Sequence, residues 1–264
     1  MKYATFLAGL LLLASCKLND DVNLALPSQQ RYYVVEAILH PGQPMELLFS
    51  ESNRMSDVAS LSFVWFADAC FAIGTDTISL TNYLFLRKAD SVMINYTSQV
   101  PLPNLHSGSI ALRLVKDRDT LTATTRFVKP VEVESCTVSG LDITATLRNS
   151  YDSHDRFFRV EAFLYQSSSK KIPRYTQLYN LGSDTSPELA LHMRVGNVPR
   201  DSLRVVVSHI SREHYEYLYS CSRAVDAYFD PFAVPTPIKT NISGGLGIFA
   251  VVQQQSFLLK SRYP

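Results

Sequence analysis

Ile110 to Lys116 and Thr120 to Phe127 alternate apolar with polar side chains, and Asp117-Arg118-Asp119 lies between them. Successive side chains of a strand point to opposite faces, so a period of two gives each run one apolar face and predicts a β-hairpin. A helical segment would expose half of those apolar residues. Tyr32 to Leu39 is similarly β-rich and stops at Pro41-Gly42, and Met45 to Ser50, Leu61 to Ala67 and Thr77 to Leu86 follow. After Lys129-Pro130 the pattern restarts in Val131 to Val138, Leu141 to Leu147 and Phe157 to Tyr165, then in the Val-dense Ser202 to Ile210. Short strands with frequent turn residues predict a mainly β chain of two tandem antiparallel β-sandwich (Ig-like) domains, residues 31–130 and 131–264. The boundary falls at Lys129-Pro130 because proline disfavours helical backbone in its predecessor.

One segment changes period. Ser211 can cap a helix, with Glu213 in the first turn where the helix dipole favours an anion. Tyr215, Leu218, Ser222, Val225 and Phe229 then recur at intervals of three and four, and Asp230-Pro231 ends the run. This predicts one prominent helix over about residues 211–229. It places Tyr215, Tyr219 and Phe229 in the core, and Tyr217 on the opposite side as a candidate contact surface.

The N-terminus reads as a leader. Lys2 is followed by an apolar run from Thr5 to Ala14 that closes in Leu13-Ala14-Ser15-Cys16. The run is shorter than the roughly 20 apolar residues of a spanning helix. A basic start, an apolar run and small residues before a cut describe a secretory signal, residues 1–15. The small residues stop at a cysteine with Leu three places before it, the lipobox pattern of bacterial lipoproteins. Lipidation is therefore expected at Cys16, with 16–30 as a tether, and Asp20-Asp21 behind it resembles the acidic surface-export signal of Bacteroidota lipoproteins.

Lys and Arg total 25 against 24 Asp and Glu, and removing Lys2 with the leader brings the balance to zero. No basic stretch offers a footprint for nucleic acid. Cys70, Cys136 and Cys221 remain, at spacings that fit no zinc pattern. Three buried thiols, or a bridge between Cys136 and Cys221, both fit. His154 lies between Asp152 and Asp155 in a turn, where a solvated loop is the simpler reading. His209 and His214 are not at the spacing of a helical zinc motif. No catalytic set, metal site or cofactor site emerges.

Three of the ten glycines crowd into Thr240-Asn241-Ile242-Ser243-Gly244-Gly245-Leu246-Gly247-Ile248-Phe249. A nucleotide loop needs Lys and Ser or Thr after its last glycine, and here Ile248 and Phe249 follow. The expectation is a tight structural turn, built on Asn241, Gly244, Gly245, Gly247 and Phe249, that feeds a final buried strand. With the Tyr-rich helix and the Pro-Phe segment before it, this order resembles a family of Bacteroidota outer-membrane lipoproteins catalogued as a domain of unknown function. Val34-Val35-Glu36 resembles its first strand, and Phe158-Arg159-Val160 its second-domain strand. Ser107-Gly108-Ser109-Ile110 departs from the family's Gly-Tyr before an inner strand.

That resemblance implies β-sandwich domains, the first similar to the regulatory-like domain of carboxypeptidases. It also implies work beside a TonB-dependent outer-membrane transporter. The expected role is a non-catalytic accessory or ligand-capture lipoprotein of the cell surface, held to the outer membrane by lipid. The alternative is a structural or assembly protein of that membrane without a small ligand.

Overall fold

The computed structural model describes residues 30–53, 60–87, 91–166, 172–197, 200–230, 232–234 and 236–263. The leader at 1–15, the lipidation site Cys16 and residues 17–29 of the tether lie outside them. Among the described residues the chain is mainly β, with one long helix near its C-terminal end.

The strands from the first half are β1 (Tyr33–Leu39), β2 (Pro44–Glu51), β3 (Ser62–Phe63), β4 (Asp68–Ile73), β5 (Asp76–Ser79), β6 (Thr81–Arg87), β7 (Val92–Pro101), β8 (Ser109–Lys116) and β9 (Asp119–Arg126). Those after it are β10 (Val133–Ser139), β11 (Asp142–Arg148), β12 (Phe157–Tyr165), β13 (Arg174–Asn180), β14 (Glu188–Arg194) and β15 (Arg200–Ile210). The helix α1 (Arg212–Phe229), then β16 (Leu246–Val251) and β17 (Gln253–Tyr263), complete the order. They form four sheets, ordered β16-β1-β2-β7-β6 with β3 beside β2, β5-β4-β8-β9, β10-β11-β14, and β13-β12-β15-β17.

Alternation decides which faces are buried. Val35, Ala37 and Leu39 of β1 are buried, as are Leu121 and Ala123 of β9. They join one core with Phe49, Phe71, Leu112 and Phe249, fed by the first two sheets. Ile143, Ala145 and Leu147 of β11 meet Val160, Val205 and Val207 in a second core, fed by the other two. Two cores, each drawn from two sheets, give the fold its sandwich-like character. The run Val205–Ile210 is buried at every position, where alternation alone would bury every second one. Under the helix Phe157, Ile210 and Val252 form a third, small cluster with Ile38, Tyr215 and Leu218 packed on it.

Several strand expectations change in detail. Thr77 to Leu86 reads as one strand but is split at Leu80, which is buried and donates its N–H to the Ala69 carbonyl at 2.8 Å. Residues before the split pair with β4 and those after it with β7. One apolar run thus serves two sheets. Of Leu61 to Ala67, only Ser62–Phe63 is strand.

The connection at Lys129-Pro130 is fixed from the far side. His209, fully buried, has its ring nitrogens 2.7 Å from the carbonyl oxygens of Lys129 and of Asp155. The Tyr151 hydroxyl donates to the Pro130 carbonyl and accepts from the Glu132 N–H, both at 3.0 Å. Arg126 of β9 pairs with Asp155 at 2.8 Å. Buried polar groups that contact both sides of a junction in this way narrow its geometry.

Candidate functional site

The glycine motif is read from β16 upward. This strand runs parallel to β1, in the register Val35 to Gly247 and Ala37 to Phe249. The expectation placed the motif with residues 131–264; its strand instead belongs to the sheet built by the first half. Parallel partners need a long crossover, and here the crossover includes most of the chain, so no local pattern announces the pairing.

Each glycine meets protein at close range. Gly244 has φ +84°, and a Cβ there would lie 2.7 Å from the Thr120 carbonyl oxygen. At Gly245 it would meet Leu121 Cδ2 at 2.6 Å and the Tyr33 oxygen at 2.8 Å. Gly247 has φ +113°, and its Cβ would overlap the Val35 carbonyl oxygen at 1.9 Å. The space that a phosphate cradle would leave open is filled by backbone. Ser243 bridges to Thr122 by two backbone hydrogen bonds, 2.8 and 3.1 Å, so the turn is tied to β9.

Asn241 has a distinct task. β16 is the edge of its sheet, so one side of its backbone lacks a strand partner. The Phe249 N–H donates to Asn241 Oδ1 at 2.9 Å, and Asn241 Nδ2 donates to the Phe249 carbonyl at 2.7 Å. One side-chain amide stands in for the missing neighbour. Inside, the Phe249 ring stacks on Phe71, 5.5 Å between centroids and 16° apart. Asn241→Ala leaves both backbone groups of a fully buried residue unpaired. A loss of roughly 2–6 kcal/mol is expected at about 1–3 kcal/mol per stranded group, read as a lower urea midpoint at unchanged slope.

The helix face differs from the expected one. Ser211 caps it, its Oγ accepting from the His214 N–H at 3.3 Å. His214 and Ser220 are buried, and Tyr217, Cys221 and Ala224 are half-buried beside them. That three-and-four spacing is the inward stripe. Tyr217 therefore faces the protein, beside Cys221 and Glu36, and burial pushes its phenol well above the ordinary value. Tyr215 does pack inward, 5.2 Å from the Phe157 ring. Tyr219 and Phe229, expected in the core, are exposed. Ranking residues by apolarity missed the face because its own members, His214, Ser220 and Cys221, are polar or small.

The remaining candidates resolve as follows. His154 is exposed in a short 3-10 turn, Ser153–Asp155. Cys70, Cys136 and Cys221 are free thiols. Among the described residues no three His, Cys, Asp or Glu side chains converge as metal ligands. Glu161, almost fully buried on β12, is paired with Arg159 at 3.0 Å and with Arg174. His214 has a partner for neither ring nitrogen among the described residues. An open hollow of about 410 Å³ lies at the end of the helix, among Arg223, Asp226, Asp230, Val234, Thr236 and Pro237.

Paired sheets around two cores, a helix laid over their outer faces and a glycine turn closed by its own backbone define a mainly β, sandwich-like protein whose motif is structural. The chain belongs to the family described as Domain of unknown function (DUF4249), whose model matches residues 19–257. No curated protein matches it.

Proposed function

We propose that the chain is a cell-envelope lipoprotein, lipid-anchored through Cys16 at the surface of the outer membrane, and a non-catalytic accessory or ligand-capture subunit of a TonB-dependent transporter. The observation that carries this reading is Leu13-Ala14-Ser15-Cys16 closing the apolar leader. The family match begins at Asn19, just past that cysteine, which accords with a leader set apart from the folded protein. The paired sheets accord with two tandem Ig-like sandwiches meeting near Lys129-Pro130. The ionisable groups His209, Asp155 and Glu161 are engaged in internal contacts, which accords with a scaffold. Loops on rigid sandwiches commonly carry binding, and a lipid anchor raises the effective concentration of a partner in the same membrane.

Two acyl chains suffice for stable attachment, at about 0.8 kcal/mol per buried methylene. Cys16→Ala is therefore expected to abolish palmitate labelling and release the protein from membranes; unchanged label and retention would remove the anchor. The solubilised wild-type protein is expected to enrich a TonB-dependent transporter over an unrelated lipoprotein control. Deletion is expected to impair uptake of one nutrient class. No enriched transporter, with a broad envelope defect on deletion, would put the structural role in its place.

A further inference from the structure

Among the described residues, the far half of α1 and the segment after it carry an apolar surface with nothing packed over it. Val225 is 56%, Tyr228 84%, Phe229 78%, Phe232 94% and Val234 82% exposed. Tyr228 and Phe229 pack edge to face at 5.2 Å. Phe232 is held in a tight turn, its N–H donating to Asp230 Oδ1 at 3.0 Å. A sequence that selects aromatics at consecutive exposed positions is not solving a core-packing problem; such patches on soluble surfaces mark docking sites.

The helix direction says what this surface faces. His214 lies by His40, just past the end of β1, whereas Tyr217 and Cys221 lie by Glu36. As helix numbers rise, β1 numbers fall, so the helix runs back toward the start of β1. Leu246, paired with Val34 at that start, and Tyr32 just before it are also exposed. The chain enters β1 from Cys16, only 17 residues before Tyr33. At no more than about 3.6 Å per residue, the tether spans at most on the order of 60 Å, so the acyl chains join the fold at this end and keep it within that reach of the bilayer.

We propose that the Tyr228–Phe229–Phe232–Val234 surface docks on the bilayer, its rings seated at the interface between headgroups and acyl chains; this rests on the anchor at Cys16. Tyr suits that boundary, with an apolar ring and a polar tip, and Phe and Val supply the buried part. The bordering charges Arg223, Asp226 and Asp230 do not form a basic cluster. Contact is therefore apolar, independent of anionic lipid and insensitive to salt. Docking gives the anchored protein a fixed orientation.

The test places a reporter in the surface. The sequence has one tryptophan, Trp65, so the full lipidated chain carrying Trp65→Phe and Phe232→Trp has its only indole there. It is reconstituted in phosphatidylcholine vesicles with ordinary or brominated acyl chains, and flotation is followed alongside fluorescence. The expected result is blue-shifted emission and about a twofold or greater loss of intensity in brominated lipid, as for a ring buried at the acyl boundary, unchanged by high salt. A protein that floats but shows water-like emission, equal in both lipids, overturns the docking and leaves the anchor standing. Shielding that needs added transporter, or that rises with protein concentration without vesicles, assigns the surface to a protein partner and also overturns it. Failure to float removes the anchor and the docking together.

Discussion

Gly247→Val is expected to yield no stably folded protein. The glycine has φ +113°, a region closed to β-branched residues, and its added Cβ would sit 1.9 Å from the Val35 carbonyl oxygen. That oxygen belongs to β1, directly across the parallel register. Relief requires β16 to leave β1, which pulls Phe249 and Val251 out of the first core. Removing one large aromatic from a core costs about 3–5 kcal/mol, against a typical total stability of 5–15 kcal/mol. Gly42 supplies the contrast: its φ is +76°, but nothing lies within 4 Å of an added Cβ. Gly42→Ala should therefore lose only about 1–2 kcal/mol, the price of left-handed backbone. Gly245→Val should fall between, since Leu121 Cδ2 can yield where the Tyr33 carbonyl cannot. Circular dichroism and urea melts of the three variants give the order; a Gly247→Val protein that melts like wild type would refute the β1–β16 pairing.

Acidification from pH 7 to pH 4 is expected to destabilise the fold, and His214→Phe to remove much of that sensitivity. Burial, reinforced by the nearby Arg159 and His40 charges, pushes the His214 imidazole down from 6.5 to about 3. In the unfolded chain it protonates near its ordinary value. Between those two pH values the unfolded state binds the extra proton, so stability rises with pH there. The contribution is fully present above about pH 6.5 and is lost as pH falls toward 3. Each unit of difference is worth about 1.4 kcal/mol, so the effect is several kcal/mol at the acid end. Phe fills the same space without ring nitrogens, neither of which finds a partner, so the variant should be no less stable at neutral pH. Thermal melts of both proteins at successive pH values test this. Parallel pH profiles would place the acid sensitivity elsewhere.

Local patterns were legible where one residue constrains its neighbours. The hairpin of β8 and β9 forms with Lys116 opposite Asp119 and Asp117 at φ +55°, as alternation and the Asp-rich loop require. The helix starts after Ser211 and ends before Asp230, because capping is written in adjacent residues. Long-range partners were not legible. Nothing in Val34-Val35-Glu36 says that Leu246-Gly247-Ile248 lies beside it, although the glycine at 247 encodes that something must pass close. The helix face was misjudged for a related reason. Its inner stripe meets Glu36 and Arg159, polar groups on two different sheets, so hydrophobicity ranked the wrong side as buried. Phe229 and Tyr219 then look like core in sequence and stand in solvent in the fold.

The parallel strand pair also sets the order of events as the chain is made. Synthesis from the N-terminus delivers β1 early and β16 next to last. Until residues 246–251 emerge, β1 presents an unpaired edge and the Phe71 ring lacks its stacking partner. Exposed edges recruit other strands, so the half-made chain is open to wrong pairing in this interval. The arrival of the glycine turn, which carries β16 onto β1, closes that edge.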